Sequence, residues 1–176
     1  GNFEIVSIAG AMKHDDYTPK TIDPWGNDWR CFPVDGYGDK DKLRSFIRMF
    51  KPDILYFMTD PRFYDWLWQI EDEIRESIPM VYYHVWDNKP YPYFNSVWYE
   101  SNDVIATISK VTSDIVQNVS PGVEEHYVPH AVDKKIFRLL DDPASKNSIK
   151  EFRQQTGSEG KFLILWNNRN ARRKQS

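Results

Sequence analysis

Three short segments carry side chains able to bind or polarise an anionic or polyhydroxylated ligand. His84-Val85-Trp86-Asp87-Asn88 stands at the end of an apolar run. A His and an Asp in that place can bond sugar hydroxyls or stabilise developing charge. The competing reading is a buried histidine satisfied by a backbone carbonyl, with Asp87 and Asn88 as turn residues before Pro90. Asn167-Asn168-Arg169-Asn170-Ala171-Arg172-Arg173-Lys174 follows a second apolar run. A pyrophosphate needs fixed positive charge and several donors, which an Arg fork and a Lys supply; a solvated basic turn explains the same string. Val128-Pro129-His130-Ala131-Val132-Asp133, with Phe137 beyond it, reads by itself as a loop. Trp25, Trp29, Trp86, Tyr91, Tyr93 and Trp98 fall in or near loops. Flat rings with a polar tip suit carbohydrate faces, and they equally suit packing under long loops.

Other chemistries are demoted. The chain has no G-x-G-x-x-G, no Walker A string, no G-x-S-x-G and no H-E-x-x-H. Its four histidines, His14, His84, His126 and His130, lack metal-ligand spacing, so no metal site is expected. Asp39-Lys40-Asp41 resembles a metal-binding pair of aspartates, but it opens a helix, where the dipole favours acidic residues. Cys31 is the single cysteine, which excludes an internal disulfide and fits a reducing, cytoplasmic location. The formal charge of −3 argues against nucleic-acid binding. At 40% hydrophobic and 28% charged, the chain is not a disordered one. No apolar stretch is long enough for a transmembrane helix. The ends of the chain read as cuts through a longer protein.

The elements that must position these residues alternate. Apolar runs of strand length lie at 3–9, 54–58, 80–86, 104–108 and 162–166, with shorter candidates at 31–34 and 125–128. Leu43, Phe46, Ile47 and Phe50 mark one helical face, and Phe63, Trp66, Leu67, Ile70 and Ile74 mark another. Val111, Ile115 and Val119 mark a short helix. Asp142-Pro143 places a cap before a good first helical residue, and Gly157 closes that helix. The segment 10–29 reads as a loop. The expected fold is α/β, a doubly wound parallel sheet of Rossmann-like type followed by the start of a second Rossmann-like domain. Ligands then belong just past the strands, at 10–16, 35–38, 59–62, 84–89, 109–112, 129–133 and 167–174.

The succession of segments resembles the retaining GT-B glycosyltransferases of glycosyltransferase family 4. Strand 104–108 followed by Ser109-Lys110 looks like the family's I-S-x-x stretch. Pro129-His130-Ala131-Val132-Asp133 with Phe137 looks like its P-N-G-V-D…F turn, with His130 and Ala131 in place of Asn and Gly. The run 162–166 followed by Arg169 and Lys174 looks like its G-R…K segment, with Asn168 in place of Gly. The Glu-x7-Glu motif that the family carries after its G-R…K segment is not present beyond Lys174.

The resemblance implies a GT-B N-terminal, acceptor-side domain over 1–140 and the first helix and strand of a nucleotide-sugar domain over 141–176. It implies transfer of a sugar from a nucleotide-diphosphate sugar to an acceptor hydroxyl with retention, and no cofactor beyond that donor. His84 would touch the donor sugar, and Arg169 and Lys174 the donor diphosphate. Trp86, Asp87, Asn88 and His130 would be acceptor or sugar contacts. The acceptor could be carbohydrate, lipid or protein, and no nucleic acid is expected. The piece alone is expected to be inactive. The alternative is a non-catalytic α/β sugar- or protein-binding module, a degenerate transferase homologue.

Overall fold

The computed structural model describes residues 3–167. The chain divides into two compact units, one ending at His130 and the other beginning at Ala131.

In the first unit, β1 (Ile5–Ala9), β2 (Lys20–Ile22) and β3 (Gly26–Pro33) form a three-stranded sheet in the order β1-β3-β2. β1 runs parallel to β3, and β2 antiparallel to it. The hairpin of β2 and β3 replaces the second half of the loop expected at 10–29. Its outer end is exposed on both faces, which removes the alternation that would mark a strand. α1 (Lys40–Phe50) follows. It starts where the Asp39 carboxylate accepts the Lys42 N–H at 2.8 Å, and it ends at left-handed Lys51, before Pro52.

β4 (Leu55–Met58), β5 (Met80–His84), β6 (Val104–Thr107) and β7 (Glu124–Tyr127) form an all-parallel sheet in sequential order. The helical face expected over 63–74 is broken into a 3-10 turn (Pro61–Tyr64), α2 (Asp65–Trp68) and α3 (Glu71–Arg75). α4 (Ser96–Glu100) and α5 (Lys110–Val119) complete the crossovers. The molecule is thus α/β, with helices flanking a four-stranded parallel sheet.

One core lies between the helices and this sheet. Its strand members, Phe57, Met80, Tyr82 and Ile105, are aligned in register on one face. Leu43 of α1, Leu67 of α2, Ile74 of α3, Tyr99 of α4 and Ile115 of α5 all join that same core. The reason is topological. Every step from β4 to β7 moves in one direction, and right-handed crossovers then lay each helix on the same side. On the other face of β4, Tyr56 and Met58 are 57% and 49% exposed. A continuous apolar run suggested cover on both faces, and here it has cover on one.

The second unit contains α6 (Pro143–Gln155). Asp142 caps it, accepting the Ser145 N–H at 2.9 Å, and Gly157 follows it at φ 62°. The expected strand at 162–166 does not form: this segment has no strand pairing, and Phe162, Ile164 and Leu165 are 79% exposed or more. A strand exists only with a partner to bond, and among the described residues none lies beside it. No helix among the described residues is long and apolar enough to cross a membrane.

Candidate functional site

The four parallel strands deliver their carboxyl ends to one edge, where Thr59, Trp86, Ser109 and Val128 follow β4, β5, β6 and β7 in turn. Thr59 takes φ 132°, an unusual conformation for a β-branched residue. The turn after it is tied down by Asp60. This carboxylate accepts the Arg62 N–H at 3.0 Å and the Arg62 Nε at 2.9 Å, and it pairs with Nη2 at 2.5 Å. These bonds hold the Asp60 carboxyl below its ordinary range against the opposing effect of burial. The Arg62 guanidinium lies over the Trp86 ring, 5.4 Å from its centroid.

Trp86 donates from Nε1 to the Asn88 carbonyl at 2.9 Å and meets Phe94 edge-on. Asp87 and Asn88 are exposed. Beside them, Lys89 and Tyr91 both bond the Asp114 carboxylate of α5, at 2.8 and 3.0 Å. Ser109 caps α5 by accepting the Thr112 N–H at 3.0 Å.

His84 does not reach this surface. It is fully buried, with Nδ1 3.0 Å from the Tyr82 hydroxyl and Nε2 2.6 Å from the Tyr99 hydroxyl. Burial pushes its imidazole down to about 3, so it is neutral near pH 7. The sequence reading of a backbone-satisfied core histidine is right about the burial; the partners are two tyrosines.

His130 is exposed and lies on the opposite face of the sheet. Its Nδ1 is 3.1 Å from the Tyr83 hydroxyl, which donates to the Val128 carbonyl at 2.8 Å. Tyr83 and His84 are neighbours in β5 and point to opposite faces, so the structure does not bring His84 and His130 together. Trp86, Asp87 and Asn88 do lie together past β5. Arg169 and Lys174 lie outside the described residues.

Sequence reasoning flagged 59–62 as a ligand position but singled out none of Asp60, Arg62, Tyr82 and Tyr99. Asp60-Pro61 carried a signal, a cap residue before a proline, at the end of an apolar run. Tyr82 and His84 share a strand face because they are two apart. Nothing local ties Tyr99 to them.

Past β1 and β3 there is an open, polar cavity of about 570 Å³, lined in part by Lys13, His14, Lys20 and Asp35. Asp35 accepts the Tyr17 hydroxyl at 2.6 Å. Among the described residues there is no group of three or more His, Cys, Asp or Glu side chains placed to hold a metal ion. Comparison with protein-family models, with curated proteins and with solved structures finds no match.

Proposed function

We propose that this chain is the acceptor-side part of a GT-B glycosyltransferase. The enzyme would move a sugar from a nucleotide-diphosphate sugar to an acceptor hydroxyl with retention of configuration. The observation that carries the reading is the shared edge of the parallel sheet, where an aromatic ring, a guanidinium and a carboxylate (Trp86, Arg62 and Asp60) are held together past two adjacent strands. Ligands of open parallel sheets bind outside such an edge. Trp86 supplies an apolar platform for a sugar face, and exposed Asp87 and Asn88 supply acceptors for its hydroxyls. Arg169 and Lys174 neutralise the diphosphate as it leaves, which lowers the barrier by stabilising charge in the transition state.

The test is turnover. The complete protein is incubated with a panel of uridine and guanosine diphosphate sugars, and release of the nucleoside diphosphate is followed. Release that depends on an added acceptor, with Arg169→Ala lowering kcat/KM by tenfold or more, supports the reading. An Arg169→Ala variant within threefold of wild type overturns the phosphate role, because it leaves less than about 0.7 kcal/mol to assign.

One observation favours the second reading, a non-catalytic sugar- or protein-binding module: His84 is sealed in the core and has no solvent-facing nitrogen. Sugar binding without nucleotide release would select it.

A further inference from the structure

The buried polar groups beside β4 and β5 form a single chain whose direction is fixed by chemistry. The Tyr82 hydroxyl bonds the Thr59 carbonyl, which can only accept, so Tyr82 is the donor. Its oxygen must therefore accept from His84, and the proton of the imidazole sits on Nδ1. Nε2 is then an acceptor, and Tyr99 donates to it at 2.6 Å. The Tyr99 oxygen in turn accepts from the Asn95 Nδ2 amide at 3.2 Å. Asn95 cannot be turned around, because Tyr99 has no second proton to give it. Its Oδ1 is left buried with no partner. The chain runs Asn95, Tyr99, His84, Tyr82, Thr59, and each link determines the next.

We propose that His84 is a positioning residue: through Tyr82 it clamps the carbonyl of Thr59, and so holds the strained turn from which Asp60 aims Arg62 onto Trp86. Three observations meet in this assignment. The last acceptor of the chain belongs to Thr59, the residue at φ 132°. The next residue, Asp60, makes the bonds that aim Arg62. The aimed guanidinium lies on Trp86, which follows His84 in the same strand exit. His84 thus acts on the sheet edge from inside the core and does not touch a ligand there. That the edge is the working edge rests on the glycosyltransferase reading; the clamp itself does not.

The experiment uses the full chain without ligand. Nitrogen-15 NMR of the histidine side chains should show His84 neutral and protonated at Nδ1 from pH 5 to 8. Tyr82→Phe removes the hydroxyl that links His84 to Thr59. Amide hydrogen exchange at Arg62 and Phe63, whose N–H groups bond Asp60, should then quicken tenfold or more, while exchange at Ser120, which closes the end of α5 by donating to the Val116 carbonyl, stays within twofold. Tyr56→Phe, a hydroxyl outside the chain, should change neither. Exchange at Arg62 and Phe63 within threefold of wild type in Tyr82→Phe would overturn the proposal, as would an Nε2 proton on His84. The NMR readout needs no variant and stands if Tyr82→Phe fails to fold. Neither measurement uses a sugar nucleotide, so a protein without transferase activity would end the proposed function and leave the clamp intact.

Discussion

Gly10 and Gly36 meet backbone to backbone where β1 and β3 end: a Cβ placed on Gly10 would sit 1.6 Å from the Gly36 carbonyl oxygen. No side chain can move aside to relieve that contact, because the obstructing atom is main chain.

Gly10→Ala should therefore destabilise the first unit by at least about 2 kcal/mol. Gly122→Ala is the control. Its Cβ would meet nothing within 4 Å, and its backbone is not left-handed. It should stay within about 0.5 kcal/mol of wild type. Urea denaturation of the two variants side by side gives both numbers.

Acid should destabilise the fold through His84. Its folded-state value of about 3 lies below the ordinary 6.5 because burial disfavours the imidazolium. Between those values the unfolded chain holds the extra proton, so the contribution is complete above pH 6.5 and is lost as pH falls towards 3. The facing charge is Asp60, which pulls the other way and is the weaker influence. The slope for this one group approaches about 1.4 kcal/mol per pH unit. Stability measured from pH 7 down to 4.5 should show it in the wild type and not in His84→Gln.

Leu67 of α2 is 2% exposed and packs in the core beside the sheet. Leu67→Ala removes three carbons from that core and should cost about 2–5 kcal/mol. Tyr56→Ala removes a larger side chain from the uncovered face and should cost less. If the order were reversed in thermal melts, the assignment of the core to one face would fail.

Glu125 of β7 ties α5 to the sheet. Its carboxylate accepts from Thr107 at 2.5 Å, from Ser113 at 3.0 Å and from Gln117 at 3.0 Å. Glu125→Ala leaves the Thr107 hydroxyl, which is buried, with only a long contact to the His126 carbonyl. A loss of about 1–3 kcal/mol is expected, with faster amide exchange in α5. A change confined to β7 would contradict the tie.

The legible parts of the fold are those in which a local pattern and a local stop signal agree. α1 could be placed from Leu43, Phe46, Ile47 and Phe50 with Pro52 behind them, and α6 from Asp142-Pro143 and Gly157. The apolar runs of β4, β5 and β6 were visible for the same reason. What failed depends on partners. β2 and the start of β3 are polar and exposed, and they exist because they bond each other. The run 162–166 has strand composition and no neighbour to pair with. At the site, Trp86, Asp87 and Asn88 could be placed past a strand by length alone. The burial of His84 depended on Tyr99, 15 residues away, which no local pattern encodes.

Each strand of the parallel sheet bonds to its successor along the chain: Leu55 meets Met80, Val81 meets Val104, and Val104 meets Glu124. Each pairing closes a segment of only about two dozen residues, so the entropy lost at every closure is small and nearly equal. No rung of this ladder waits for a distant part of the chain to arrive. Assembly can begin at any adjacent pair and spread both ways like a zipper, a freedom denied to sheets whose central strands come from remote positions.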